Sequence, residues 1–164
     1  MRSNKIKRWI PERDLINAAL DSSTAIRLFK GNWNGTEIKI YQNLLKPQIV
    51  PTVYKEFFNY QDASCFACIG KKERFLQLLG AKIWYPETEN DLEDNISMDR
   101  QIICEVKQLG IHLLITDNIA HFKLYQCEFP DIEIINGYTL IFSIIKQENK
   151  QISQTWGKEV YADL

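Results

Sequence analysis

The sequence predicts an α/β protein, a three-layer α/β/α sandwich around a mainly parallel sheet of roughly five strands. Three observations predict it. Short apolar runs of strand length recur at residues 15–20, 48–50, 81–85, 111–115 and 132–135. Between them lie segments whose apolar residues repeat every three or four positions, the period of a helix packed along one side. At 164 residues and 45% hydrophobic, the chain is also long enough to bury one compact core. The domain so outlined covers residues 14–147, between an N-terminal arm (1–13) and a C-terminal tail (148–164).

In order, the arm is polar and basic, with Arg2, Lys5, Lys7 and Arg8 around Trp9. The run 15–20 is a strand that stops at Asp21-Ser22-Ser23-Thr24, residues that cap a helix, and 25–29 begin that helix. Asp21 is thus either a capping residue or an acid at a strand's C-terminal end. Residues 32–35 form a turn, and 36–45 carry Ile38, Tyr41, Leu44 and Leu45 at helical spacing, with Pro47 read as the stop. A brief strand at 48–50 precedes Pro51-Thr52, which opens a helix facing inward with Val53, Phe57 and Tyr60 and bordered by Glu56. Residues 62–70 read as a loop or broken helix. Residues 71–79, closed by Gly80, form a short helix presenting Phe75, Leu78 and Leu79. A short strand at 81–85 stops at Pro86, and an acidic stretch follows over 87–94. Segment 92–109 reads as a helix with Leu92, Ile96, Ile103 and Val106 on one face, closed by Gly110. Strand 111–115 ends on Thr116 and Asp117, a short helical piece at 118–124 carries His121 and Phe122, and 138–146 is a closing helix after the fifth strand.

Composition removes several classes of function. With 20 basic and 21 acidic residues the net charge is −1, so nucleic acid is not bound by bulk charge and any such contact must be local. No apolar run is long enough for a membrane span, and the basic opening lacks the apolar segment of a signal peptide, so a cytosolic protein is expected. Cys65 and Cys68 have the spacing of a zinc knuckle, but Cys104 and Cys127 lie singly and far apart, so buried reduced thiols are expected in place of a zinc site.

The acids carry the chemistry. Asp99 falls on the apolar face of its helix, and an isolated ionised carboxylate removed from water must be paired, neutralised, or holding a cation. Asp21 and Asp117 stand at strand C-termini, where open α/β sheets bind ligands, and Glu56 hangs from a helix beside them. Four oxygen-only ligands in one pocket repel each other unless a hard cation is present, which favours magnesium or manganese over zinc. Such a site suits phosphodiester hydrolysis, with the acids as ligands first and bases second.

The pattern resembles the PIN-domain (PilT N-terminus) family of metal-dependent ribonucleases, which includes the VapC-type toxins. The resemblance spans residues 15–146. It rests on Leu20-Asp21-Ser22-Ser23 after the first strand, Val50-Pro51-Thr52 through Glu56, Asp99 with Gly110 eleven residues on, and Ile115-Thr116-Asp117 followed by His121-Phe122 and Glu133-Ile134-Ile135-Asn136. It departs at Cys104, where the family often has a small residue, and at Asn118, which stands where a T-x-D segment would put its acid. Asp117 is then the expected fourth ligand, with Thr116 or Asn118 as weaker oxygen donors. The resemblance implies endonucleolytic cleavage of RNA at a magnesium or manganese site formed by Asp21, Glu56, Asp99 and Asp117. Ser22, Arg100, Thr116 and Asn118 would lie against the substrate, and Lys55 and Lys123 are further candidates for its phosphate. His121 is expected to be structural. A VapC-like toxin would be a homodimer held off by an antitoxin protein; the arm and tail make a free-standing nuclease an equal expectation. Two rivals remain: a degraded module of the same fold that binds RNA or a protein without turnover, and a phosphoacceptor signalling domain. The second lacks its paired acids after the first strand and its terminal lysine, since Asp21 stands alone and Asn136 ends the fifth strand.

Overall fold

The computed structural model describes residues 15–61, 69–87, 97–144 and 146–147. The arm, the tail, Cys65, Cys68, Leu92 and Ile96 lie outside the described residues. Five strands form one all-parallel sheet: β1 (Ile16–Leu20), β2 (Leu45–Ile49), β3 (Lys82–Ile83), β4 (Leu113–Ile115) and β5 (Glu133–Ile135). Around them run α1 (Ser22–Lys30), α2 (Thr36–Leu44), α3 (Pro51–Asn59), α4 (Ile69–Leu79), α5 (Met98–Gln108), α6 (Ile119–Lys123) and a closing helix over 137–144.

The strand order is β3-β2-β1-β4-β5. Chain progression runs one way from β1 to β3, then crosses back to β4 on the other side of β1. Right-handed crossovers in opposite directions place helices on both faces of the sheet, and the reversal makes the β1/β4 border the switch point. The central strands are therefore buried on both sides, which is why Ala18, Ala19, Leu20, Leu114 and Ile115 read as apolar runs without alternation.

The strand expected at residues 48–50 begins earlier, at Leu45, and runs through Pro47. Proline normally breaks a ladder by removing a donor. Here β3 pairs only with Gln48 and Ile49, so at Pro47 the strand has β1 on one side and no strand on the other, an edge position that tolerates the loss.

The core joins this sheet to its helices through large side chains. Phe29 of α1, Phe57 of α3 and Phe75 of α4 meet edge to face or tilted at centroid distances of 5.6–6.0 Å. On α4 the inward residues are Phe75, Leu76 and Leu79, while Leu78, expected inside, faces outward. Lys72 shares the inward face. It is buried, and its ammonium donates to the carbonyl oxygens of Phe58 (3.3 Å) and Tyr60 (2.6 Å), which closes the C-terminal end of α3. Tyr60 itself lies just past the helix it was expected to continue. Of the two described cysteines, Cys104 is half-buried and Cys127 exposed, so the expectation of buried thiols fails at Cys127.

Candidate active site at the switch point

Adjacent strands bring the first site residues together. Leu20 of β1 is in register with Ile115 of β4, and the Asp21 amide continues the ladder by donating to the Ile115 carbonyl at 2.9 Å. The residues following each strand, Asp21 and Thr116, are therefore neighbours. The Thr116 hydroxyl donates to Asp21 Oδ2 at 2.9 Å, and Ser23 Oγ donates to the same oxygen at 2.7 Å. Asp21 occupies the N-cap position of α1 yet makes no side-chain capping bond, and only 4% of it is exposed. Burial raises its carboxyl above the usual aspartate range, the two hydroxyls oppose the rise, and the Asp99 charge adds to it.

Glu56 reaches the same region from α3, which packs on α1. Ser22 Oγ donates to its Oε2 at 2.6 Å, while Oε1 is buried with no hydrogen-bond partner among the described residues. Burial pushes this carboxyl up as well; the Ser22 hydroxyl pulls it down, and the charges of Asp21, Asp99 and Glu105 push it further up. Asp99 sits in the first turn of α5, behind the Ser97 cap whose hydroxyl accepts from the Arg100 amide. Its Oδ2 lies 3.6 Å from His121 Nδ1, a ring that is 70% exposed. The Asp99 charge thus raises the proton affinity of both Asp21 and Glu56, and Asp21 raises that of Glu56.

Asp117 does not join them. Its Oδ2 accepts from Arg27 Nε at 2.6 Å and its Oδ1 from Thr24 Oγ1 at 3.1 Å. The Arg27 guanidinium also grips Glu37 through both terminal nitrogens at 2.9 Å, lies 4.9 Å from the Tyr138 ring centroid, and is held far up its range chiefly by Glu37. Sequence reasoning singled out neither Arg27 nor Glu37. Thr24 and Arg27, three apart on α1, form one helical face turned to β4, and that spacing is the signal that could have revealed the pair.

The remaining candidates divide. Ser22 and Thr116 position acids through their hydroxyls. Thr116 Oγ1 additionally accepts from the Asn118 amide at 2.9 Å, and the Asn118 side chain is exposed. Arg100 pairs with Glu128 at 3.0 Å, so its guanidinium is engaged elsewhere.

The donor chemistry fits a hard divalent cation. It is oxygen only, it contains an orphaned carboxylate oxygen at Glu56, and the Asp99 charge raises the proton affinity of Asp21 and Glu56. The Asp21 and Glu56 side chains are nevertheless turned to hydroxyl partners, and among the described residues no three His, Cys, Asp or Glu side chains close around one point. No helix among them is long and apolar enough to cross a membrane. Compared with known proteins, the chain matches no family model, no curated protein and no solved structure.

Proposed function

We propose that the chain is a metal-dependent endoribonuclease whose cation is held by Asp21, Glu56 and Asp99. The observation that carries this reading is the orphaned, buried Oε1 of Glu56 beside two further acids at the switch point of a parallel sheet. The PIN-domain resemblance supports it, and RNA is the partner it requires. A bound magnesium or manganese ion supplies charge neutralisation at the phosphate and activation of the attacking water. The chain's own residues prepare the site. Thr116 and Ser23 hold the Asp21 carboxylate by one oxygen with the Ser22 amide also bonded to it, and Ser22 Oγ holds Glu56 by one oxygen, so Glu56 keeps a second oxygen for other work. Asp99, at the first turn of α5, is more accessible than Asp21, with 35% of its side chain exposed. The ion pair to Arg27 removes Asp117 from the ligand set and makes it a clamp between β4, α1 and α2. A cytosolic setting, homodimer pairing and an antitoxin that covers the acids belong to the toxin version of this proposal.

The test is cleavage of a generic single-stranded RNA. With manganese or magnesium the wild type is expected to cut it, EDTA to stop cleavage, and Asp99→Asn to slow it about a hundredfold or more. Cleavage that survives EDTA, or that Asp99→Asn leaves unchanged, overturns the proposal. One observation favours a second reading, a non-cleaving module that binds RNA or a protein: the fourth expected ligand is locked to Arg27. RNA binding without metal-dependent cleavage would select it.

A further inference from the structure

A groove of about 500 Å³, within the range of small-molecule sites, is lined by none of the three acids but is built on two of their helices. Two of its walls are the helices that carry Glu56 and Asp99. From α3 come Thr52 and Lys55, and from α5 come Gln101, Cys104, Glu105 and Gln108. The α5 set falls at steps of three, one and three, so a mostly polar stripe faces the groove next to the stripe of Ile102, Ile103 and Val106 that enters the core. The third wall is the segment after β3, with Trp84 and Tyr85.

Each wall is held in place. Glu105 accepts from the Thr52 amide at 2.8 Å and the Thr52 hydroxyl at 2.9 Å, which fixes α5 to the first turn of α3. The Trp84 indole donates to Gln48 at 2.8 Å, and Lys82 lies 4.1 Å from its ring centroid. Tyr85 meets the Tyr54 ring edge to face and is otherwise exposed. Among the described residues no hydrogen bond engages the Gln101 or Gln108 carboxamides. An exposed tyrosine face and free carboxamides are the chemistry that stacks on and reads a base, while Lys55 is set against the two acids of the lining, Glu87 and Glu105, so what the groove can recognise is the base and not the phosphate.

We propose that this groove binds a base of single-stranded RNA next to the scissile phosphate, with Tyr85 as its stacking platform and Gln101 and Gln108 reading its edge. The proposal rests on the ribonuclease reading for its substrate. The groove would then decide which sequences are cut.

Binding is measured by fluorescence anisotropy with the full chain in EDTA, so that cleavage cannot intervene. The probes are short single-stranded oligomers of A, C, G and U, with the four nucleoside monophosphates as competitors. Tyr85→Ala is expected to weaken binding about tenfold. Gln101→Leu and Gln108→Leu are expected to change the order of preference among the four bases, with the melting temperature unchanged in all three variants. No binding by the wild type, or variants that bind all four oligomers as it does, overturns the proposal. Monophosphates that bind as tightly as the oligomers, with the same sensitivity to the variants, overturn it in favour of a free-nucleotide pocket. The two readings separate cleanly: groove variants that lose base preference while no metal-dependent cleavage exists sink only the nuclease, and metal-dependent cleavage indifferent to the groove variants sinks only the groove.

Discussion

At the scale of single residues, Asp21 is held against its own chemistry. Its carboxyl is buried and its ionised form disfavoured, yet two hydroxyls are aimed at one of its oxygens. Asp21→Asn keeps an acceptor for those hydroxyls and removes the buried charge. In EDTA at neutral pH it is expected to melt about 3 °C higher than the wild type, roughly 1 kcal/mol for a chain of this size, by scanning calorimetry. Arg27 behaves in the opposite sense. Arg27→Met leaves the Asp117 and Glu37 carboxylates facing each other without their shared cation, and is expected to cost on the order of 2 kcal/mol in urea unfolding. The positions of Asp21 at a strand end and of Glu56 and Asp99 on helices were legible in the sequence from the spacing of its apolar residues. The diversion of Asp117 was not, because Arg27 is 90 residues away and only the sheet order brings it close.

At the scale of elements, periodicity placed all five strands and most helices, and failed where a neighbour's length decided the outcome. Pro47 reads as a stop, but β3 is too short to pair with that part of β2, so nothing needs the missing amide there. Leu78 has the spacing of an inward residue, yet Lys72 and Leu76 take that face. The lysine could not be foreseen, since its stabilising partners are carbonyls left over at the end of another helix. Lys72→Met is expected to strand those carbonyls and lower the melting temperature by roughly 5 °C, about 2 kcal/mol. A melting temperature equal to the wild type's would mean that the ammonium contributes nothing at the α3 terminus.

For the whole molecule, the order β3-β2-β1-β4-β5 decides where the acids lie, because it sets the ends of β1 and β4 side by side and leaves α3 and α5 to bring in the other acids. That order is not written in periodicity; it follows from the handedness of crossovers acting on a strand sequence. One consequence is a pH dependence. Asp21 and Glu56 both have folded values raised above their ordinary 3.8 and 4.5, so protonation favours the folded state. The stability they contribute is fully present below those ordinary values and is lost as pH rises through the raised ones. The advantage of Asp21→Asn over the wild type in EDTA should therefore grow as pH rises from about 4 and then level off. Divalent cation should cancel it. The central claim is that Asp21, Glu56 and Asp99 share one divalent ion, and the most direct measurement is manganese uptake followed by electron paramagnetic resonance on the wild type and Asp99→Asn at neutral pH. Sharing predicts saturable uptake by the wild type and binding about tenfold weaker or worse in Asp99→Asn; no saturable uptake by the wild type, or equal uptake by both proteins, would contradict it.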